Sequence, residues 1–116
     1  MFAENLYKPN PIDDIECVFA HRQHTVERRN ANEVVIEVAG KWDNMLLFFV
    51  WEEHLNCLHI SCLINLVPEN VNQPNIFELL ALLNEDIWVG YFSFWEEMQM
   101  PVFKHSIFVD ETEMNL

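Results

Sequence analysis

A chain of 116 residues with 19 Asp and Glu against 6 Lys and Arg carries a formal charge of −13 at pH 7. This charge disfavours binding to nucleic-acid phosphates and to anionic lipid. Hydrophobic residues make up 51% of the chain and aromatic residues 13%, which excludes an acidic disordered chain. We therefore expect one domain over residues 10–109, an extended lead-in over 1–9 and a frayed acidic tail over 110–116.

The N-terminal residues and the cysteines predict a cytoplasmic protein. Residues 1–10 lack the basic and apolar regions of a signal peptide, and the longest apolar run, 45–51, is too short to span a bilayer. Cys17, Cys57 and Cys62 are odd in number and lack paired spacing, which is typical of a reduced compartment. We expect them to stay reduced.

The first regular element is a helix that starts at Asn10-Pro11. Asn is a favoured N-cap, and proline at the first helical position loses no hydrogen bond. Apolar residues then recur at helical spacing as far as Phe19. The pattern predicts an amphipathic helix over 11–22.

Beyond this helix the hydrophobic period changes from 3.6 residues to 2, which is typical of strands. The expected elements are an edge strand over 25–29, strands over 33–38, 45–52 and 57–66 with turns at 40–43 and 53–56, a helix from Pro74 to Ile87, and strands over 91–95 and 102–109. Short connections favour antiparallel pairing. The predicted fold is α+β, an antiparallel sheet of five or six strands with two helices in a second layer.

The second helix contains the clearest apolar stripe. It is formed by Ile76, Leu79, Leu80, Leu83 and Ile87. Asn84 interrupts the apolar residues, and Asn is a poor helix-interior residue. We expect its side chain to hydrogen bond to a neighbouring loop, a structural role, rather than to bind a ligand.

Three polar residues on one predicted strand raise the question of chemistry. Alternation along a strand places Cys57 and His59 on one face and Cys62 on the other. A zinc site needs about four converging ligands, and neither CxxC nor HxxxH spacing occurs. Cys–His catalysis needs a third, orienting group that the sequence does not identify. We predict no catalytic residue, no metal and no cofactor.

His105 and the acidic pairs have structural interpretations that we favour. His105 lies on an apolar strand face, where a half-buried histidine is expected, and a pH-sensing or binding role is the alternative. Glu52-Glu53 and Glu96-Glu97 are expected to be solvated turn charges, because adjacent strand residues point apart. An enzyme or small-molecule sensor that uses Cys57 and His59, or His105, remains the alternative to a binding module.

Aromatic residues provide the candidate partner site. We expect core packing to claim most of the four Trp residues but not all of them in a domain this small, and an exposed Trp beside apolar residues marks interfaces. The candidate partner-binding residues are Trp42, Trp51, Tyr91, Trp95 and His105.

Several different short motifs are distributed along nearly the whole chain. They are Asn10-Pro11-Ile12-Asp13, Gly40-Lys41-Trp42, Trp51-Glu52-Glu53, Leu58 with Cys62, Val67-Pro68, the run from Leu79 to Glu85, Trp88-Val89-Gly90, Phe92, Trp95 and the run from Pro101 to His105. Together they resemble the bacterial YbjN-domain family in its short single-domain form. The chain departs from the family pattern at Asn65, Tyr91 and Lys104, where Asp, His and Arg are usual. Ligand contacts cannot simply be carried over to those positions.

The resemblance implies a fold similar to that of type III secretion chaperones, which are likewise small, acidic and dimeric. It also implies a label of sensory-transduction or stress regulator, with no established ligand or reaction. We therefore predict a non-enzymatic, chaperone-like protein-binding or regulatory module. We expect a homodimer whose partner is a protein or peptide of basic or apolar character, with no role for nucleic acid or membrane.

Overall fold

Six antiparallel strands and two helices make up the described part of the chain, which comprises residues 10–39, 44–64 and 73–109 of a computed structural model. The helices are α1 (Pro11–His21) and α2 (Gln73–Glu85). The strands are β1 (Thr25–Asn30), β2 (Glu33–Val38), β3 (Met45–Glu52), β4 (Cys57–Ile64), β5 (Tyr91–Trp95) and β6 (Met100–Phe108), with a short 3₁₀ turn at Glu53–Leu55. The predicted α+β architecture is confirmed.

The strand order in the sheet is β1-β2-β3-β4-β6-β5. The first four strands form a meander, whereas the segment containing α2 crosses to the far edge and β6 returns between β4 and β5. Strand β6 begins at Met100, earlier than expected, and so includes Pro101. Pro101 has no backbone N–H to donate. Since β6 pairs with β4 only as far as Val102, no hydrogen bond to β4 is lost at Pro101.

Helix α1 packs on the first half of the sheet. Ile12 is fully buried against Val34 and Ile36 of β2, and the cluster extends to Phe49 and Trp51 of β3. The predicted N-cap is present, because the Asn10 side chain accepts a hydrogen bond from the backbone N–H of Ile12 at 2.9 Å. This half of the sheet therefore holds the main core.

Arg28 of β1 ties the first hairpin to α1. Its guanidinium donates to Glu16 Oε1 at 2.7 Å, to Asp13 Oδ1 at 2.9 Å and to the backbone oxygen of Ala31 at 2.7 Å. Partial burial lowers the pKa of Arg28, but its hydrogen bonds and charge attraction to Asp13 and Glu16 outweigh burial and raise it. Arg28 is therefore a structural cation whose charge is compensated by α1.

Helix α2 buries less than the sequence predicts. Ile76 and Leu80 are buried, but Leu79 and Leu83 are exposed, and Ile87 lies beyond the end of the helix. The prediction of one buried stripe of five residues is therefore wrong, because only Ile76 and Leu80 of the five are buried. Among the described elements, the main contact of this helix is with the edge strand β5.

Several predictions fall outside the described residues. These are the lead-in over 1–9, the turn at 40–43, the last residues of the strand expected over 57–66, and the tail over 110–116. Neither described helix has the length and apolar character needed to cross a membrane.

Candidate binding face

Both described helices contact the same face of the sheet. Helix α1 covers Ile36, and α2 meets β5 through Phe77, whose ring lies 5.2 Å from that of Phe94. Residues directly opposite each other on neighbouring strands lie on the same face of the sheet. A row of such pairs crosses the sheet from Ile36 through Leu47, Cys62 and Phe103 to Phe92. Alternation along β5 places Phe94 on the same face as Phe92, so both helices lie on that face. Across the described residues, the other face carries no helix.

We call this helix-free side the open face. It is defined by the following residues on the helix-free side of the sheet, of which Leu63 and Val102 are buried: Arg29, Glu37, Leu46, Phe48, His59, Ser61, Leu63, Tyr91, Ser93, Trp95, Val102, Lys104 and Ser106.

The open face is concave at its centre. Phe48 on β3 and Trp95 on β5 meet edge to face, with ring centroids 6.3 Å apart, although β4 and β6 separate their strands. Three strand spacings correspond to about 14 Å between the two backbones. The two rings therefore lean toward each other above the intervening strands, and the small residues Ser61 on β4 and Ser93 on β5 lie on the same face.

Two cavities adjoin this aromatic pair. The smaller, of about 310 Å³, has Lys104 among its lining residues, and we call it the Lys104 cavity. The larger, of about 600 Å³, is lined by Arg29 and Glu37, among others, and we call it the Arg29 cavity. Phe48, Leu63 and Trp95 line both cavities.

Arg29 lies on the open face at an irregularity in the pairing of β1 with β2. The pairing of β1 with β2 shifts between Arg28 and Asn30, so Arg29 is the extra residue of the strand. Its guanidinium carbon lies 5.6 Å from the centroid of the Phe48 ring, within cation–π range. The neighbouring Arg28 faces α1, so two consecutive arginines act on opposite faces of the sheet.

The predicted partner-binding residues are divided between the two faces. Tyr91 and Trp95 are exposed on the open face. Trp51 is only 5% exposed and belongs to the core under α1. His105 is half-buried on the helix-covered face, opposite Ile60. Trp42 lies outside the described residues.

The Cys and His residues of β4 do not form one site with His105. His59 Nδ1 lies 2.8 Å from Ser106 Oγ on the open face, whereas Cys57 is buried. Cys62 lies on the helix-covered face, where burial raises the pKa of its thiol. All three cysteines are free thiols. Among the described residues, no group of three or more His, Cys, Asp or Glu is placed to hold a metal.

Sequence reasoning missed the residues that shape the cavities, Phe48, Ser61, Ser93 and Lys104. Alternation along the strands could have indicated them, because all four residues lie on the open-face side of their strands and two of them, Ser61 and Ser93, are small. What no single strand reveals is that β3 and β5 bring their rings together across two other strands.

A comparison with protein families adds the chain's relationships. A family model described as "Putative bacterial sensory transduction regulator" matches residues 11–115. The chain belongs to the YbjN family. No curated protein and no solved structure matches it. The YbjN description names a regulatory role without a ligand or a reaction, so it does not identify what the open face binds.

Proposed function

We propose that this YbjN-family chain is a non-enzymatic regulatory module, chaperone-like in its action, that binds a segment of a partner protein on the open face. The observation that carries the proposal is the exposed contact of Trp95 with Phe48 at the centre of a concave, helix-free sheet face. Aromatic side chains set among apolar neighbours are typical anchors of protein interfaces. Tyr91 extends the same surface along β5.

Charge supports a partner segment that is apolar with basic residues. The formal charge of −13 attracts basic partners at long range. Exposed carboxylates lie at the margins of the open face, with Glu27 and Glu37 on β1 and β2 and Glu96 and Glu97 directly after Trp95. Apolar side chains of the segment would occupy the centre, and its Lys or Arg residues would meet these margins.

The placement of the polar groups supports a binding role over catalysis. His59 pairs with Ser106 on the open face, but Cys62 and His105 lie on the other side of the sheet. The proposal includes a cytoplasmic location, which the three free thiols support.

The test compares two tryptophans that differ in position. Wild type, Trp95→Ala and Trp88→Ala are immobilised, exposed to lysate of the native bacterium at several salt concentrations, and the bound proteins are identified by mass spectrometry. Trp88 is 97% exposed in the connection between α2 and β5 and does not belong to the open face, so it is the matched control. Circular dichroism checks that both variants fold.

We expect wild type and Trp88→Ala to capture the same specific partner and Trp95→Ala to lose it. Capture that is equal for all three proteins would place the partner elsewhere on the molecule. Recovery of no specific partner at any salt concentration would contradict the binding function itself.

A further inference from the structure

The Lys104 cavity has the composition of a small-molecule site. Its walls are the apolar side chains of Phe48, Leu63, Trp95 and Val102. The residues with polar side chains among its lining are few, namely Ser61, Ser93 and Lys104. A mostly apolar concavity with a small number of polar groups is the usual character of ligand pockets.

The charge of this cavity is opposite to that of the whole chain. Lys104 is one of only 6 basic residues among 116, and no Asp or Glu is among the residues that line the cavity. The ion pairs recorded between described residues belong to Arg28, not to Lys104. In the Arg29 cavity, by contrast, Glu37 accompanies the cation. Lys104 is exposed and makes no ion pair with a described residue, so its charge is available to a negatively charged ligand.

The donors and the size restrict the ligand further. One ammonium and two hydroxyls suit a single carboxylate, whereas a phosphate dianion is usually held by an arginine fork or several backbone N–H groups. A volume of about 310 Å³ is at the lower end of the range of ligand pockets, enough for one ring and a short acid chain. The rings of Phe48 and Trp95 offer both a face and an edge to an aromatic ligand.

We propose that the Lys104 cavity binds a small aromatic monocarboxylate, with the carboxylate at Lys104, Ser61 and Ser93 and the ring against Phe48 and Trp95. This inference goes beyond the proposed function, because the site is complete within one chain and needs no protein partner. The overall negative charge repels an anion at long range. At about 0.15 M salt that repulsion is screened beyond about 8 Å, so the local ammonium dominates inside the cavity.

The experiment is a titration of the whole chain, labelled with nitrogen-15, followed by NMR at about 0.15 M salt. The probes are phenylacetate and its neutral analogue phenylacetamide. The variants are Lys104→Gln, which removes the charge, and Arg22→Gln, which removes a cation at the C-cap of α1, away from the open face. The signals followed are the Trp95 indole N–H and the backbone amides of Ser61, Ser93 and Lys104.

We expect phenylacetate to shift these signals and to bind wild type about tenfold or more tightly than phenylacetamide, because a charge-assisted contact is lost in the amide. Lys104→Gln should abolish that preference by weakening phenylacetate alone, and Arg22→Gln should change neither affinity. The proposal is overturned if phenylacetate does not shift the cavity signals at millimolar concentration. It is equally overturned if Lys104→Gln binds phenylacetate as tightly as wild type does.

The outcome is separable from that of the capture experiment. Loss of a protein partner in Trp95→Ala together with no phenylacetate binding would remove this inference and leave the proposed function standing. Phenylacetate binding that depends on Lys104, without any captured protein partner, would support this inference and remove the proposed function.

Discussion

Asn84 holds the edge strand of the sheet to the last turn of α2. Its amide nitrogen donates to the backbone oxygen of Phe92 at 2.9 Å, and its amide oxygen accepts from the backbone N–H of Phe92 at 2.6 Å. These are the two bonds that a residue of a further strand would make, so the side chain occupies part of the exposed edge of β5. The predicted structural role is confirmed, although Asn84 binds a strand rather than a loop.

Replacing Asn84 should loosen this edge. We expect Asn84→Ala to lower the free energy of unfolding by about 1–3 kcal/mol, because two partly buried backbone groups lose their partners. Urea denaturation measures the loss, and hydrogen exchange should show faster exchange of the Phe92 amide. Glu85→Ala, an exposed neighbour at the end of the same helix, is the control and should be close to neutral. Unchanged exchange at Phe92 in Asn84→Ala would contradict the assignment.

The reason for a glycine at position 90 is visible only in the structure. The sequence indicates that a glycine follows α2, and the structure shows why the position requires one. Its φ of +80° is in the left-handed region, and an added Cβ would lie 2.5 Å from Phe103 Cζ and 2.7 Å from the Lys104 backbone oxygen. The backbone therefore passes too close to β6 for any side chain.

At the scale of elements, periodicity predicted the type and order of the described segments. It could not predict how much of α2 is buried, because that depends on where the helix lies against the sheet. In its position at β5, α2 has Ile76 and Leu80 buried but the neighbouring leucines in solvent. A helix that is apolar on most of its surface usually has further cover.

Two leucines of α2 test this arrangement. Leu80 is 7% exposed and Leu83 is 40% exposed, although both belong to the stripe that the sequence predicts. Leu80→Ala should lower the free energy of unfolding by about 2–5 kcal/mol, the range for truncating a buried leucine. Leu83→Ala should cost less than about 1 kcal/mol in dilute protein, as expected for a surface position. Thermal and urea melts at low concentration measure both variants, and equal losses would show that α2 packs differently.

At the scale of the whole molecule, the sheet was predictable and the site was not. Alternation along each strand fixes which residues share a face, and that was sufficient to place Tyr91 with Trp95. The same rule could not show that the core claims Trp51, since β3 is apolar on both faces and the side covered by α1 is decided by packing. The cavities depend on the contact of Phe48 with Trp95, two side chains from strands that are not neighbours.

The described surface retains an apolar area besides the open face. Leu79, Leu82 and Leu83 of α2 are exposed, and their spacing places them on one side of the helix. We call these three residues the α2 patch. Contiguous apolar surface of this kind is typical of interfaces, and a two-fold dimer is the commonest solution among soluble oligomers.

We predict that the chain is a homodimer at micromolar concentration, with the α2 patch of one copy on that of the other. Two copies of charge −13 repel each other, but salt at about 0.15 M screens this repulsion beyond about 8 Å, and apolar contact then favours association. Light scattering should therefore report about twice the chain mass of 13.8 kDa, with a larger dimer fraction at higher salt.

Two matched leucine variants locate the interface. Leu82 in the patch is 53% exposed, and Leu55 in the 3₁₀ turn is 60% exposed. Leu82→Lys should give the monomer mass because it introduces a hydrated charge into an apolar contact, whereas Leu55→Lys should remain dimeric. Both substitutions reduce the net negative charge equally, so charge repulsion cannot explain a difference between them. A wild-type monomer at both low and moderate salt would exclude the dimer. A Leu82→Lys variant that stays dimeric would move the interface away from α2, and the open face would then be the next surface to test.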